Sequence, residues 1–557
     1  MLSASQVPLH KKGDLDTCGN YRGICLLSLI TKILDKMMMH RTRDALDALL
    51  LPCQNAYRPE RSCKEHVNAL TELIDLARRA NNVPLVCLFV DFSKAFDSVD
   101  RRQLRRLLVW WKCPPALLTL MFVVLDGQQL AVRLDGEHGK TFTPTAGVLQ
   151  GDTLAPYLFL IVMDAIFRYT DPDPHTSLGF DLCPPLPGTC SSGTRSRPQR
   201  PRTGKALPLL GYADDVSLLA SSAENAEQML HRLETIGSLF GLHLNFGKGK
   251  TEALFLGQHA ATSIRSKNGT LVTTCDSYKY LGTLVGLGWR ADLRRRKGQA
   301  WHVIHRFNWI WKSPNRYARN RDAKRRLFQA LVEPIVTYST ASYPWTVGVR
   351  KALDETLQDM YRYCLNARVD YNTFRHVPIE DLLHGQPFFS AKIAAQRLQH
   401  FGHRLRQHYR NDDTIHHPMF DVYENCPREP DGVRKFRRGG AQIESPFSAV
   451  LEMISVSVDP HKKQQPFRTM QEIYDKFFFR LGEEKQRLAW RDVVRDCLLY
   501  YQLDAAQRIS TRRGKESRRP TPWSEGDHDQ LIKKSTAVAQ QFSLDAGAAP
   551  RRNQLMP

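Results

Sequence analysis

The chain has 557 residues, of which 42% are hydrophobic, and its 79 Lys and Arg outnumber its 57 Asp and Glu to give a formal charge of +22. This length predicts three or four domains or subdomains, and the basic balance favours a polyanionic partner, nucleic acid before a membrane surface. No stretch approaches the ~20 apolar residues of a membrane-spanning helix, and the N-terminus lacks the apolar core of a secretory signal. The 12 Cys include no Cys-x-x-Cys pair, so no zinc site is indicated and reduced thiols in an intracellular compartment are expected.

The first 80 residues predict a basic turn and two helices. The turn at residues 10–14 leads into a helix within 26–50, because apolar residues recur there at helical spacing. Those residues are Leu26, Ile30, Ile33, Leu34 and Met37. An Arg-rich turn at 54–62 precedes the second helix, 63–79, which has an apolar stripe. Arg22 and the Lys pair before it could contact phosphates, with a solvated basic loop as the alternative.

Two segments place acids at the ends of apolar runs. Residues 84–90 form a continuous apolar run, typical of a strand buried on both faces, and it ends at Asp91. The runs 207–210 and 216–220 predict a tight hairpin with Asp214 and Asp215 at its tip. Adjacent carboxylates repel, so the pair is tolerable only in water or beside a cation. An isolated Asp-Asp is most often a solvated turn; Asp91 is the third acid that a cation site requires.

Further helices, hairpins and a glycine-containing loop follow in chain order. Residues 103–111 and 115–125 predict helices, and 129–145 predict a hairpin around Asp135-Gly136. The loop at 146–156 leads into an apolar helix at 154–167, where Asp152 or Thr153 can act as the cap. Such a loop also suits close backbone approach to a ligand, although a plain helix cap explains it equally well. Later segments predict an amphipathic helix at 223–240, a strand at 241–246 and a short hairpin at 278–285.

Composition shifts twice in the remaining chain. Residues 171–208 are rich in Pro, Gly, Ser and Thr and carry basic residues, which predicts a flexible insertion. From 289 to 326 basic residues alternate with Trp, a pattern that suits backbone phosphates and base faces and equally a helix pair with a Trp core. Residues 327–420 continue as helices, 421–509 mix basic loops with helices, and 510–557 are expected to be disordered.

Taken in order, several of these segments resemble the reverse transcriptase signature, most closely that of non-long-terminal-repeat (LINE-type) retrotransposons. The segments are KKGD…NYRGICLLS, YRPERSC, FVDFSKAFDSVD, GVLQGDTLAPYLF, YADD, YKYLGTLV and LQHFGHRLR. The resemblance covers roughly residues 10–410. It implies an α+β right-hand polymerase: fingers and palm with an antiparallel sheet and helices, a helical thumb and a mostly helical C-terminal region.

The resemblance also implies how the chain is divided into domains. Fingers are expected at 1–82, and the palm with further fingers elements and the insertion at 83–288. A basic helical thumb and connection at 289–420 is followed by the C-terminal region at 421–509 and a basic tail at 510–557. The implied activity is RNA-directed DNA polymerisation, with an RNA template, a DNA primer and dNTPs as partners, no membrane, and a nuclear or ribonucleoprotein location.

The resemblance assigns the chemistry to the three acids. Asp91 and Asp214 are the expected ligands that bridge two Mg²⁺ ions, with Mn²⁺ as an alternative, while Asp215 lies nearby and the Phe92 carbonyl completes the set. Such ions catalyse phosphoryl transfer by positioning and charge neutralisation. Lys250 is expected either to protonate the pyrophosphate leaving group or to contact phosphate passively.

Other residues are assigned to substrate binding by the same resemblance. Phe96 is the expected sugar gate, which excludes a ribose hydroxyl, and Gln150 and Gly151 would line the nascent base pair. Arg58, with Arg22 and Lys12, would hold the triphosphate. Primer and template contacts fall on the hairpin and on the basic helix after it, namely Tyr280, Leu281, Gly282, Arg294, Arg295, Arg296 and Lys297.

Three departures from the family pattern keep alternatives open. The chain begins inside the fingers, without the endonuclease such elements place upstream, so target nicking is not assigned to it. Glu60 stands where relatives often have Gly, and the insertion at 171–208 is longer than usual. One alternative is therefore a catalytically inactive nucleic-acid-binding remnant, and another is an intron-maturase-like protein with the same core.

Overall fold

The chain divides into two compact units, Met1–Leu281 with His416–Pro427 and Gly282–Ile415 with Arg428–Pro557. Both strands and helices are present, and helices predominate. In the portions that the structure describes, no helix has the length and apolar character needed to cross a membrane. The computed structural model describes residues 3–11, 13–59, 61–79, 83–172, 177–182, 206–257, 263–312, 321–367, 378–410, 419–420, 422, 450–451, 453–454, 457, 470–478 and 483–516.

The elements of the first unit are β1 (Ser3–His10), β2 (Tyr21–Leu26), α1 (Leu29–Leu49), α2 (Cys63–Arg79), β3 (Leu85–Val90), α3 (Ala95–Ser98), α4 (Arg101–Trp110), α5 (Pro115–Asp126), β4 (Gln129–Leu134), β5 (Glu137–Phe142), α6 (Ala155–Thr170), β6 (Phe180–Asp181), β7 (Ala206–Leu207), β8 (Leu209–Tyr212), β9 (Asp215–Ala220), α7 (Ala223–Leu239), β10 (Glu252–Leu256), β11 (Thr273–Thr274) and β12 (Tyr278–Tyr280). Those of the second are β13 (Thr283–Val285), α8 (Trp289–Arg306), α9 (Asn308–Lys312), α10 (Arg321–Leu331), α11 (Glu333–Thr337), α12 (Val347–Cys364), α13 (Ile379–Leu383), α14 (Phe389–Arg410), α15 (Met470–Phe477) and α16 (Glu483–Glu516).

A five-stranded sheet in the order β11-β10-β3-β9-β8 forms the centre of the first unit. Strand β3 is buried along its whole length and runs antiparallel to both β9 and β10. Its residues alternate between faces: Val86 and Leu88 join the main hydrophobic core, whereas Phe89 stacks on Tyr278 with ring centroids 4.2 Å apart. The predicted buried strand is confirmed, and its end delivers Asp91 to the edge of a packed core.

Helices α6 and α7 pack against each other, and α7 also packs against β9 and β3. Helix α6 is apolar around most of its circumference and almost entirely buried, as its sequence predicts. The Ser222 side chain caps α7 by accepting the Asn225 N–H at 3.1 Å, which satisfies one of the free donors at that helix start. Packed helices therefore cover one face of the central sheet, whose strand ends carry the site residues.

A second sheet in the order β2-β1-β4-β5 lies in the first unit. Strand β1 pairs antiparallel with β2 and parallel with β4. The predicted β4–β5 hairpin is confirmed, with left-handed φ values at Asp135 (50°) and Gly136 (91°). Sequence patterns did not predict β1 and β2, because their short polar stretches lack clear apolar alternation and are held chiefly by backbone pairing.

Helix α1 is confirmed, but its apolar stripe faces outward. Ile30, Ile33 and Met37 are 58%, 51% and 52% exposed, whereas the buried residues of the helix are Thr31, Asp35, Met38 and Thr42. Helical spacing identifies a stripe without showing which side meets the core. The inward face is therefore largely polar, a point that matters for the loop beneath it.

In the second unit, α14 packs along α16. The Trp490 indole Nε1 donates to the Leu398 carbonyl at 2.9 Å. Gly402 makes this approach possible, because a Cβ there would lie 1.9 Å from that Nε1. Part of the expected insertion forms the β6–β7 pair, and its residues 173–176 and 183–205 lie outside the described residues. The prediction of disorder from residue 510 is wrong as far as 516, because α16 continues to Glu516; the tail from 517 lies outside the described residues.

Candidate active site

The three predicted acids converge at the ends of β3 and β9. Residue Val90 pairs with Val216 across these strands, so one further step in the same register brings Asp91 opposite Asp215. Strands β8 and β9 form the predicted hairpin, closed by the Tyr212–Asp215 pair. Asp214 therefore sits in a two-residue turn beside both other acids, and the pairing register accounts for the convergence.

The three carboxyls interact electrostatically. The pKa of Asp215 is raised to about 6, by desolvation first and then by the charges of Asp214 and Asp91. Asp215 keeps contact with solvent, yet the surrounding protein removes part of the hydration of its carboxyl. The pKa of Asp214 is likewise raised, by desolvation first and then by the Asp91 charge, while Arg22 and Lys11 oppose the shift. Such repulsion favours the binding of a cation.

Lys250 occupies the cationic position beside Asp91 in this structure. Its Nζ lies 3.1 Å and 3.2 Å from the two carboxylate oxygens of Asp91. The predicted strand at 241–246 is reduced to a single bridge between Phe92 and Leu244, in which Asn245 N–H donates to the Asp91 carbonyl at 2.8 Å. Lys250 is thereby held where a phosphate or a carboxylate can meet its ammonium group.

The donor set fits a divalent cation by its chemistry. The three mutually repelling carboxylates are hard oxygen donors of the kind that Mg²⁺ and Mn²⁺ prefer. The backbone bonds next to Phe92 use the Asp91 carbonyl and the Ser93 N–H, so neither consumes the Phe92 carbonyl oxygen. Among the described residues, no group of three or more His, Cys, Asp or Glu side chains has metal-holding geometry. Asp91 is instead neutralised by Lys250.

Phe96 is fixed by aromatic stacking. Its ring stacks on Phe159 with centroids 4.2 Å apart and an interplanar angle of 15°. The Phe96 carbonyl accepts the Val148 N–H at 2.8 Å, and Gly147 permits this approach because a Cβ there would lie 2.6 Å from the Asp97 carbonyl oxygen. A half-buried ring locked in this way can act as a steric wall.

The loop carrying Gln150 and Gly151 is pinned to β2. The Cys25 N–H donates to the Gln150 carbonyl at 2.6 Å. Gly151 has φ +114°, and a Cβ there would lie 2.3 Å from the Cys25 carbonyl oxygen, so this position requires glycine. Asp152 accepts the Leu154 N–H at 2.9 Å, as the capping prediction expected, although Leu154 is itself the residue that precedes α6.

A buried carboxyl pair lies beneath this loop. The pKa of Asp35 is raised to about 8, by desolvation first and then by the neighbouring Asp152 carboxyl. Asp35 on α1 is fully buried and Asp152 is 7% exposed. Two neighbouring carboxylates in a buried place repel each other, so we expect the pair to hold a proton at neutral pH.

The prediction that Arg58 holds the triphosphate is wrong in this arrangement. The Arg58 guanidinium is buried and donates from Nε to Asp47 Oδ1 at 2.7 Å and from Nη2 to the Asp47 carbonyl at 2.8 Å. Its Nη1 donates to the carbonyls of Leu51 and Gln54 at 2.7 Å and 3.0 Å. These four bonds occupy the guanidinium, so Arg58 ties its turn to the end of α1.

Arg22, Lys11 and Tyr57 face the acids, and of these three the sequence analysis missed Tyr57. Arg22 is exposed on β2, and its charge acts on Asp214 and Asp215. Lys11 has a pKa lowered by desolvation and by Arg22, so Lys11 joins this cationic group, whereas the predicted Lys12 lies outside the described residues. The missed residue, Tyr57, has a pKa raised by desolvation and by the Asp214 charge. The basic pair at residues 11 and 12 had already marked Lys11 as a candidate for phosphate contact, whereas Tyr57 was assigned no role.

The hairpin formed by β12 and β13 is confirmed, yet one predicted contact on it is wrong. Tyr280 is 2% exposed, and its hydroxyl donates to the Leu210 carbonyl at 3.4 Å, so its side chain does not face a primer. Leu281 (φ 45°) and Gly282 (φ 80°) form the turn, and their predicted contact with a primer stays a prediction.

Helix α8 divides the predicted basic contacts into two kinds. Arg295 and Arg296 both donate to the Gly282 carbonyl, at 2.6 Å and 2.7 Å, and both pair with buried Asp292. They anchor the turn, so the prediction that they bind primer or template is wrong. Arg294 and Lys297 are exposed, so the guanidinium of the first and the ammonium of the second are accessible to a phosphate. Burial separates the arginines that hold the turn from the exposed cations, and the charge pattern of the sequence does not reveal it.

Comparison with known proteins agrees with this geometry. Residues 9–285 match the family described as "Reverse transcriptase (RNA-dependent DNA polymerase)", a range that contains the sheet, the three acids and the hairpin β12–β13. The first unit therefore carries a right-hand polymerase domain of the reverse transcriptase family. The relatives include proteins of non-LTR retrotransposons, which agrees with the LINE-type resemblance of the motifs.

Two relatives illustrate the relationship. The chain is 23% identical over 375 residues to "Retrovirus-related Pol polyprotein from type-2 retrotransposable element R2DM" of Drosophila melanogaster, covering 64% of this chain and 32% of that protein. It is 22% identical over 359 residues to "RNA-directed DNA polymerase from mobile element jockey" of Drosophila funebris, covering 61% and 35%. The chain thus spans about a third of the length of these relatives. An apo telomerase from Candida Tropicalis is similar with a TM-score of 0.39 and 10% identity, covering 76% of this chain and 69% of that one.

Proposed function

We propose that this chain is an RNA-directed DNA polymerase that extends a DNA primer on an RNA template during retrotransposition. The observation that carries the proposal is the β3–β9 register, which brings Asp91 opposite Asp215 beside the Asp214 turn. Three carboxylates at the end of a buried strand are costly unless a cation or a substrate compensates them. A purely nucleic-acid-binding remnant would need no such cluster.

The reaction is attack of the primer 3′-oxygen on the α-phosphorus of a dNTP, with loss of pyrophosphate. Asp91, Asp214, Asp215 and the Phe92 carbonyl would hold divalent cations, which when bound lower the pKa of the primer hydroxyl and neutralise charge on the phosphates. Arg22 and Lys11 attract the triphosphate, because both lie within electrostatic reach of the acids. Lys250 leaves Asp91 for the departing phosphate and supplies it with a proton or a compensating charge.

The remaining residues choose the substrate. Phe96, stacked on Phe159, presents its ring where a ribose 2′-hydroxyl would have to fit, which favours dNTPs. Gln150 and Gly151 would line the nascent pair from a loop that the Cys25 backbone fixes. Positioning of this kind supplies a large part of the rate enhancement in phosphoryl transfer.

Incorporation of dTTP on poly(rA)/oligo(dT) with Mg²⁺ or Mn²⁺ tests the proposal. We expect Asp214→Asn to lower the rate by about 100- to 1,000-fold, as is typical when a group acting directly on transition-state charge is lost. The matched control is Asp135→Asn, which removes one carboxylate from an exposed turn whose left-handed φ Asn tolerates. Equal background rates for the wild type and Asp214→Asn would leave only nucleic-acid binding.

A further inference from the structure

A short fingers segment docks on the edge of strand β8, which is the outer strand of the central sheet. The Gly211 N–H donates to the Cys53 carbonyl at 2.9 Å, and the Asn55 N–H donates to the Gly211 carbonyl at 3.1 Å. Gln54 thereby forms a parallel bridge with Gly211. The hairpin that carries Asp214 is therefore held by backbone bonds from outside the sheet as well as by β9.

The Gln54 side chain continues this contact to the turn itself. It is fully buried, and its Oε1 accepts two backbone N–H groups, that of Ala213 at 3.0 Å and that of Ala56 at 3.1 Å. One oxygen thus joins the residue immediately before Asp214 to the fingers segment. A buried N–H must find an acceptor, and for Ala213 that acceptor comes from a residue 159 positions away.

Ala213 needs such a constraint because its backbone is left-handed. Its φ is +57°, a region that residues with a Cβ rarely adopt. The turn contains no glycine to relax into this conformation. A change in the φ of Ala213 would swing the Asp214 carboxyl relative to Asp91, so the acceptor on Gln54 controls the position of a proposed metal ligand.

The charge of the acceptor matters as much as its position. Asp214 and Asp215 already place two carboxylates side by side at the end of this hairpin. A carboxylate acceptor at residue 54 would add a further negative charge, whereas an amide oxygen holds the turn without one. The Nε2 of Gln54 is buried and has no hydrogen-bond partner among the described residues. The amide therefore carries the cost of one unsatisfied donor while its oxygen holds the turn.

Arg58, which does not hold a triphosphate in this structure, supports the backbone of Gln54. Arg58 Nη1 donates to the Gln54 carbonyl at 3.0 Å, while its Nε pairs with Asp47 of α1. A continuous set of bonds thus runs from α1 through Arg58 and Gln54 to Ala213. We propose that Gln54 is a positioning residue for the polymerase reaction, which fixes the turn of Asp214 through the Ala213 N–H; this inference rests on the proposed function.

The test compares Gln54→Met, which is similar in length but lacks the acceptor, with Gln128→Met. Gln128 is also buried in the first unit, and neither polar atom of its side chain has a partner among the described residues, so its replacement removes no hydrogen bond. We expect Gln54→Met to lower kcat for dTTP by about 10- to 100-fold, the scale of a small misplacement, with KM within about 3-fold of the wild type. Gln128→Met should leave both unchanged.

Hydrogen exchange provides a readout that does not depend on activity. The amides of residues 209–216 should exchange at least about 10-fold faster in Gln54→Met than in the wild type, while those of β3 keep their protection. Gln54→Glu retains an acceptor oxygen and should restore slow exchange, with a kcat between those of the wild type and Gln54→Met because of the added charge.

Three results would overturn the inference: unchanged exchange in Gln54→Met, faster exchange with unchanged kcat, or the same fall in kcat in Gln128→Met. An inactive wild type would instead reject the proposed function, and the exchange data would still report whether Gln54 holds the turn. The two failures are therefore distinguishable.

Discussion

Two hairpins in this molecule are held by different chemistry. The β8–β9 turn contains Ala213 at φ +57° and the β12–β13 turn contains Leu281 at φ +45°, so each includes a left-handed residue other than glycine. The first is held through a neutral amide oxygen of Gln54. The second is held at the Gly282 carbonyl by two guanidinium groups, those of Arg295 and Arg296.

The difference follows from the charge that each turn carries. Asp214 lies in the first turn and is already repelled by Asp91, so a charged anchor would change the acidity on which cation binding depends. The second turn has no ionisable side chain, so the charged guanidinium groups of Arg295 and Arg296 can hold it without changing the acidity of a neighbouring carboxyl. There Asp292 neutralises both arginines; burial alone would raise its pKa, but hydrogen bonds from Arg295, Leu284 N–H and Arg296 outweigh this and lower it.

Breaking the ionic anchor should have the largest effect. Asp292→Asn leaves Arg296, which is 4% exposed, without its carboxylate, and we expect the free energy of unfolding of the second unit to fall by about 3 kcal/mol, as for other broken buried pairs. Pulse proteolysis in urea measures this change. Asp322→Asn is the control, because Asp322 is 65% exposed in its pair with Arg325 and should cost about 0.5 kcal/mol or less. Equal losses would contradict the anchor.

The support behind the neutral anchor should matter next. Lys at position 58 cannot reproduce the four bonds of the Arg58 guanidinium, so we expect Arg58→Lys to lower the free energy of unfolding by about 2 kcal/mol. KM for dTTP should stay within about 2-fold of the wild type. Urea unfolding and steady-state kinetics check both, with exposed Arg102→Lys as the control. A large rise in KM at unchanged stability would return Arg58 to the triphosphate site.

The Asp35–Asp152 pair, like the Gln54 amide, keeps a side chain near the site uncharged. The folded pKa of Asp35 is about 8, against an ordinary 3.8, so the folded state keeps a proton that the unfolded state loses. Stability therefore falls as pH rises from about 4 to about 8. Asp35→Asn needs no such proton and should gain about 1–2 kcal/mol over the wild type at pH 8, and much less at pH 5. Melting temperatures across this range, with exposed Asp44→Asn as the control, should diverge; parallel curves would refute the shared proton.

The smallest effect should come from the exposed cations of α8. Arg294→Gln and Lys297→Gln leave the turn anchor intact, so stability should not change. Each should lower the log–log salt slope of single-strand binding by ~0.7 from a wild-type value near −4, the slope expected for about six phosphate contacts. Fluorescence anisotropy at several salt concentrations measures this, with Asp322→Asn as the stability-neutral reference. An unchanged slope would remove these residues from the binding face.

Local patterns in the sequence were sufficient for some features and insufficient for others. The continuous apolar run before Asp91 and the flanking runs of the Asp214 hairpin predicted their strands, because a buried strand and a tight hairpin each leave a local apolar pattern in the sequence. The role of Arg58 depends on Asp47 and Leu51, and the burial of Arg296 depends on Asp292, Ser339 and the Gly282 carbonyl. Arg residues in a motif look alike until the positions of such partners are known.

The outward apolar face of α1 has a practical consequence for handling the protein. Leu29, Ile30, Ile33 and Met37 are each at least half exposed and lie within three turns of one helix. Salting-out ions strengthen apolar association while they screen the attraction of basic side chains for phosphates. Raising ammonium sulfate should therefore release the nucleic acid and promote self-association at the same time, so binding experiments belong in chloride salts with a mild detergent.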